Sequence, residues 1–123
     1  MAAPIVSMNG RWGGKLRDQN LDTQSGDDVM LQVTVLNIDG SKKDITSATI
    51  LWNLSRRPGL LSPTLSIAGT ITDATNGVFQ VAVTGTGDLR DVYYHEAEIT
   101  ESGGAVGTVI KGWFMINRDT VNA

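Results

Sequence analysis

The side chains of this sequence that could carry out acid–base or metal chemistry are few. There is one histidine, His95, and there is no cysteine, so thiolate catalysis and thiolate metal sites are excluded. His95 falls on the same face of a predicted strand as Tyr93 and Ala97. Such neighbours are typical of a neutral, hydrogen-bonded core histidine, and this interpretation is favoured over a general base.

Carboxylates offer two further arrangements. Glu96 and Glu98 are two residues apart on the same strand, which places them on one face at about 7 Å, as in a paired-carboxylate hydrolase. A solvated strand face is favoured, because the sequence gives no sign of a substrate cleft. The second arrangement is a calcium site formed by aspartates in predicted loops, although the spacing of an EF-hand is absent. These aspartates are Asp27, Asp28, Asp88 and Asp91. We predict a protein that is not an enzyme and holds no metal or cofactor.

Size and charge limit the classes of protein further. The chain has 123 residues, enough for one domain with a core of its own. Its net charge is −3 and its cations are interspersed with carboxylates, which argues against nucleic-acid binding. Residues 1–7 are too short and too weakly apolar for a signal peptide, and no run approaches the roughly 20 apolar residues of a membrane span. We expect a soluble protein made in the cytoplasm.

Alternation of apolar and polar residues predicts strands from Asp28 onward, and no helical period of useful length appears. About seven antiparallel strands at this spacing predict an all-β protein with the architecture of a β-sandwich. Tyr93, at the start of one strand, is the candidate for the tyrosine corner of immunoglobulin-like sandwiches, with its hydroxyl bonded to nearby backbone. The predicted core consists of Val29, Leu31, Val33, Ile50, Trp52, Phe79, Val81, Tyr93, Ile99 and Phe114.

The two ends of the chain differ from this pattern. Residues 1–27 are rich in glycine and predict an N-terminal arm, in which weak alternation over residues 15–21 leaves a first strand open. Residues 28–117 form the sandwich, and residues 118–123 are a C-terminal tail. An arm of this composition buries too little apolar surface to order itself, so we expect it to be mobile in isolation. Trp12 lies among its glycines and is expected to anchor the arm on a partner, with the alternative that it packs back on its own domain.

The last strand suggests where a partner binds. Alternation places Val109, Trp113 and Met115 on its outer face, which is unusually apolar for a surface facing solvent. The alternative is that the arm covers Trp113. Tyr94 is expected to point outward from the neighbouring strand, and Arg56 with Arg57 is expected to supply contacts at the rim. These residues and Trp12 form the predicted interaction site.

Several motifs in order resemble a known family. They are Gly26-Asp27-Asp28 before a valine-rich strand, Asp44 to Ile50 leading into the Trp52 strand, Asp73 to Phe79, and Tyr93-Tyr94-His95. Over about residues 26–117 the chain resembles the small immunoglobulin-like domains of tailed-phage virion proteins, such as those at the N-terminus of baseplate upper proteins.

The resemblance implies a structural protein of the virion. It would be made in the host cytoplasm, attach to other virion proteins at the tail, baseplate or head surface, and form homo-oligomers only in the assembled particle. The alternative is a carbohydrate-binding module that stacks sugar rings on Trp12, Trp113 and Tyr94.

Overall fold

A computed structural model describes residues 3–58, 63–87, 89 and 91–117. These residues form nine β-strands in two sheets, and none of them is helical. The four-stranded sheet has the order β1-β3-β7-β6, and the five-stranded sheet has the order β2-β9-β8-β4-β5. The strands are β1 (Ile5–Arg11), β2 (Leu21–Gln24), β3 (Val29–Leu36), β4 (Thr49–Ser55), β5 (Leu65–Ala68), β6 (Thr70–Asp73), β7 (Val78–Val83), β8 (Asp91–Thr100) and β9 (Val106–Asn117).

The core lies between the two sheets and is built by the predicted alternation. In β3 every second side chain, from Val29 to Val35, is buried, while the residues between are half-buried. All ten side chains predicted for the core are buried, and Trp52, Phe79 and Phe114 are among the largest of them. The prediction of an all-β fold in two layers is therefore confirmed.

The N-terminal segment belongs to this fold, so the prediction of a separate arm is wrong for residues 3–27. Strand β1 pairs in parallel with β3, and β2 pairs in parallel with β9. These two strands raise the count from seven to nine and are the exceptions to the antiparallel pairing that was expected. Sheet hydrogen bonds pair part of the segment's backbone and its alternation buries Met8, which together offset the cost of ordering it. The predicted tail, residues 118–123, lies outside the described residues.

A β-bulge changes the outer face of β9. Ala97 pairs with Ile110 and Glu98 pairs with Thr108, so Val109 is the extra residue between them. A bulge shifts the alternation of the strand that carries it. Val109 is consequently only 1% exposed, and the prediction that it points outward is wrong.

Residues 18–20 run along β9 without space between the two backbones. Gln19 donates its amide hydrogen to the Lys111 carbonyl at 2.7 Å. Its own backbone lies directly over Gly112, where an added Cβ would overlap the Gln19 carbonyl. A residue without a side chain is therefore required at position 112.

We predict that Gly112→Ala destabilises the protein by about 3 kcal/mol or more, because β9 and the Gln19 segment must separate. Gly103→Ala is the matched control, since nothing lies within 4 Å of the position its Cβ would take. Urea unfolding of the two variants measures the difference. Equal stability would show that Gln19 does not lie on β9.

Two substitutions in β1 test whether this strand is part of the folded sandwich. Met8→Ala should lower the free energy of unfolding by about 2 kcal/mol, because Met8 is buried in the core. Ile5→Ala on the same strand should change it by less than about 0.5 kcal/mol, because Ile5 is 58% exposed. Thermal or urea denaturation checks both values. A mobile arm would make both substitutions silent.

Candidate functional site

Four side chains form an apolar surface on the outer face of the five-stranded sheet. Val92 of β8 lies opposite Met115 of β9, and Tyr94 of β8 lies opposite Trp113. Val92, Trp113 and Met115 are 41%, 41% and 42% exposed, which is unusual for large apolar side chains next to one another. We call these four residues the β8–β9 patch.

Trp113 is held in a defined orientation within this patch. Its ring meets the ring of Tyr94 edge-on, with centroids 5.2 Å apart and planes inclined by 75°. Its backbone N–H donates to the side-chain oxygen of Asn20 at 2.9 Å. The Trp113 ring is thus presented to solvent on a fixed support.

Tyr94 supports Trp113 and is not a freely exposed contact residue. It is 8% exposed although it belongs to the outer face, which corrects the expectation that it points freely into solvent. Burial raises the pKa of its hydroxyl, and the charges of Glu96 and Asp18 raise it further. The phenol therefore stays neutral, as suits a ring packed under an apolar surface.

Charged groups lie on two sides of the patch. Arg56 pairs with Asp91 at 3.6 Å, and its guanidinium carbon lies 5.5 Å from the centroid of the Tyr93 ring. Arg57 is exposed. On the other side Lys111 lies 3.9 Å from Asp18. These exposed pairs contribute little to stability, and they place both signs of charge beside the apolar surface.

Two residues of the predicted interaction site lie elsewhere. Trp12 packs on Gly107, whose added Cβ would come within 2.8 Å of the indole, at the end of β9 remote from Met115. The Lys43 ammonium lies 4.4 Å from the centroid of the Trp12 ring and pairs with Glu101. The alternative that Trp12 packs on its own domain is confirmed, and it does not cover Trp113. Val109, buried at the bulge, is also absent from the surface.

His95 is a satisfied core imidazole, as its neighbours predicted. It is fully buried, and its Nε2 lies 2.6 Å from the Gln19 carbonyl oxygen. Because a carbonyl only accepts, Nε2 must carry the hydrogen, and Nδ1 then accepts from the indole N–H of Trp52 at 3.2 Å. Burial lowers the pKa of His95, an effect that the hydrogen bond to Gln19 opposes in part.

The carboxylates form no metal site in the part of the chain that the structure describes. No three His, Asp or Glu side chains converge there. Glu96 and Glu98 both belong to the outer sheet face, opposite Lys111 and Thr108. Asp88, one of the four aspartates considered for calcium, lies outside the described residues.

Sequence reasoning missed Val92 as a member of the patch. The signal was present, since Val92 is two residues before Tyr94 and therefore on the same face. Its position opposite Met115 depends on the strand register, which the sequence did not give.

No family model and no curated protein matches this chain. Among the described residues there is also no helix that could cross a membrane. The geometry of the β8–β9 patch is therefore the basis for a functional proposal.

His95 makes stability depend on pH in a predictable direction. It is neutral when folded with a lowered pKa, and it titrates near 6.5 when unfolded. Below about pH 6.5 the unfolded chain therefore binds a proton that the folded protein does not bind. The contribution of His95 to the free energy of unfolding is fully present above about pH 6.5 and decreases as pH falls below that value. The limiting slope is about 1.4 kcal/mol per pH unit. Urea unfolding between pH 5 and pH 7.5 measures it, in the range where a histidine side chain titrates.

His95→Gln is the control for this dependence. Glutamine retains a polar group for Gln19 and does not titrate. Because His95 is the only histidine, the slope between about pH 5 and pH 6.5 should largely vanish in the variant, even if it is less stable at every pH. An unchanged slope would show that other groups produce it. Asp39 and Asp44 act at lower pH, because hydrogen bonds from Ser41 and Thr46, respectively, lower the pKa values of these two carboxyls.

Proposed function

We propose that this protein is a non-enzymatic attachment domain that docks on another protein through the β8–β9 patch. The observation that carries the proposal is the contiguous exposure of Val92, Trp113 and Met115 above the buried ring of Tyr94. Tryptophan, tyrosine and methionine are enriched in protein interfaces, and aromatic residues dominate their binding energy.

The support of Trp113 favours such a role. Binding costs free energy when flexible side chains become ordered, and a side chain that is already oriented loses less. Trp113 is restrained by the Tyr94 ring on one side and by the Asn20 bond at its backbone. Strands β8 and β9, which carry the patch, lie in the interior of the five-stranded sheet. The surface is therefore organised before a partner arrives.

We further propose that the sandwich is immunoglobulin-like. If β3 to β9 are lettered B to G, with β5 as C′, the sheets read B-E-D and G-F-C-C′, which are the strand sets of that fold. Tyr93 is buried at the start of strand F, where the tyrosine corner belongs. The parallel pairing of β1 with β3 departs from an all-antiparallel scheme. The bond of the Tyr93 hydroxyl to backbone stays a prediction.

The virion assignment also belongs to this proposal. It is supported by the resemblance of residues 26–117 to domains of tailed-phage virion proteins and by a surface suited to attachment. The partners would be other structural proteins of the particle, at the tail, baseplate or head surface.

The carbohydrate-binding alternative has less support from the geometry. A sugar platform requires exposed rings that share a plane, whereas Tyr94 and Trp113 are inclined by 75° and Tyr94 is covered. Trp12 packs on Gly107 and is not a neighbour of either ring. A single exposed indole remains, which suits a pocket on a protein partner better than a row of sugars.

The test uses Trp113→Ser, a variant that should fold normally. If Trp113 is an interface anchor, its loss should reduce occupancy on assembled particles at least tenfold, the range of a residue that dominates an interface. Val106→Ser is the matched control, since Val106 is exposed on the same strand outside the patch. Occupancy is measured on particles produced with each variant, and unfolding of the purified domains confirms equal stability. Normal occupancy with Trp113→Ser would refute the proposal, and a glycan array tests the alternative directly.

A further inference from the structure

A cleft remains at the side of the sandwich where the N-terminal segment crosses between the sheets. Its volume is about 300 Å³, and its lining includes Arg11, Lys15 and Arg17 together with Asn9, Leu16 and Leu36. None of these residues belongs to the β8–β9 patch. The lining has three cations and no carboxylate, although the whole chain carries a net charge of −3.

The walls of the cleft are set by the fold. One wall is the end of β1, which is paired with β3 up to Arg11 opposite Leu36. The chain then turns through Gly13 and Gly14, both with positive φ, and returns as residues 15–19. Two bonds made by Gln19 fix the end of this second wall, one to the Lys111 carbonyl and one to His95. The cleft is thus framed by backbone that is hydrogen-bonded at both sides.

The carboxylate of the second wall is not part of the cleft lining. Arg17 and Gln19 line the cleft, whereas Asp18 between them does not and lies 3.9 Å from Lys111. The only carboxylate of the returning segment therefore lies outside the lining that holds the three cations. The cleft keeps a positive potential that would be weaker if Asp18 faced into it.

We propose that this cleft binds an acidic polypeptide segment of a partner protein, one in which carboxylates alternate with apolar side chains. The cations supply charge-assisted hydrogen bonds to carboxylates, and Leu16 with Leu36 supplies an apolar surface for the residues between them. A nucleic acid fits less well, because its phosphates need a long positive track and the chain beyond the cleft is acidic. A small inorganic anion would leave the leucine surface unused.

Binding is tested with the full-length protein and a fluorescein-labelled octapeptide of alternating glutamate and leucine. Fluorescence anisotropy should show saturable binding, with a Kd below about 1 mM that rises with salt. The same peptide with glutamine in place of glutamate should bind at least tenfold more weakly. No saturable binding of the acidic peptide, or equal binding of the glutamine peptide, overturns the proposal.

Variants of equal charge locate the site. K15Q/R17Q should weaken binding of the acidic peptide about tenfold or more, through loss of two charge-assisted contacts. R56Q/R57Q removes the same charge from two exposed cations outside the cleft lining and should change binding less than about twofold. Equal weakening in the two variants would show attraction to net charge alone and would overturn the proposal.

Further measurements distinguish peptide binding in the cleft from binding at the β8–β9 patch and from binding of other ligands. Trp113→Ser should bind the peptide like the natural sequence, so failure of the patch proposal leaves this one intact. Inorganic phosphate that displaces the peptide at equal concentration would define a small-anion site instead. Tighter binding of a single-stranded oligonucleotide of eight thymidines than of the peptide would define a nucleic-acid site. Either result overturns the proposal.

Discussion

The hydrogen-bonded line from Trp52 through His95 to the Gln19 carbonyl is the interaction on which the rest of this structure depends. It crosses the inner face of the five-stranded sheet and ends on the segment that links β1 to β2. The line is possible only because Gly112 leaves room for the Gln19 backbone over β9. A buried polar group left without its partner costs more than most single contacts contribute, so this arrangement constrains both β9 and the N-terminal segment.

Both proposed surfaces follow from that constraint. With Gln19 held on β9, Asn20 reaches the backbone of Trp113 and helps to orient the β8–β9 patch. The same anchoring holds residues 15–19 opposite the end of β1, which opens the cationic cleft between them. One surface is apolar and the other is positive, so the domain offers two chemically different contacts on one rigid framework. Two contacts of different chemistry fit the attachment role that we propose.

Some features of this structure follow from the sequence pattern and others do not, according to the kind of interaction involved. The sandwich core followed from alternation, because a strand with one buried face must repeat its apolar residues at every second position. The outer position of Trp113 and Met115 followed in the same way. Val109 did not, since a single extra residue in β9 shifts the alternation beyond the reach of a regular pattern. The pairing of the N-terminal strands was not predicted, because β1 pairs in parallel with the open edge of β3, a strand that follows later in the sequence.

The sequence by itself determined the all-β class and the buried faces of the main strands, because these depend on residue type and a short repeat. Only the tertiary structure decided that residues 3–27 complete both sheets, that Val92 joins the patch and that Trp12 packs against Gly107. It also brought Arg11, Lys15 and Arg17 together and left Asp18 outside the cleft lining. The physical reason is that register and chain crossing bring together residues from distant parts of the sequence, and local pattern carries no information about which partner a strand edge will find.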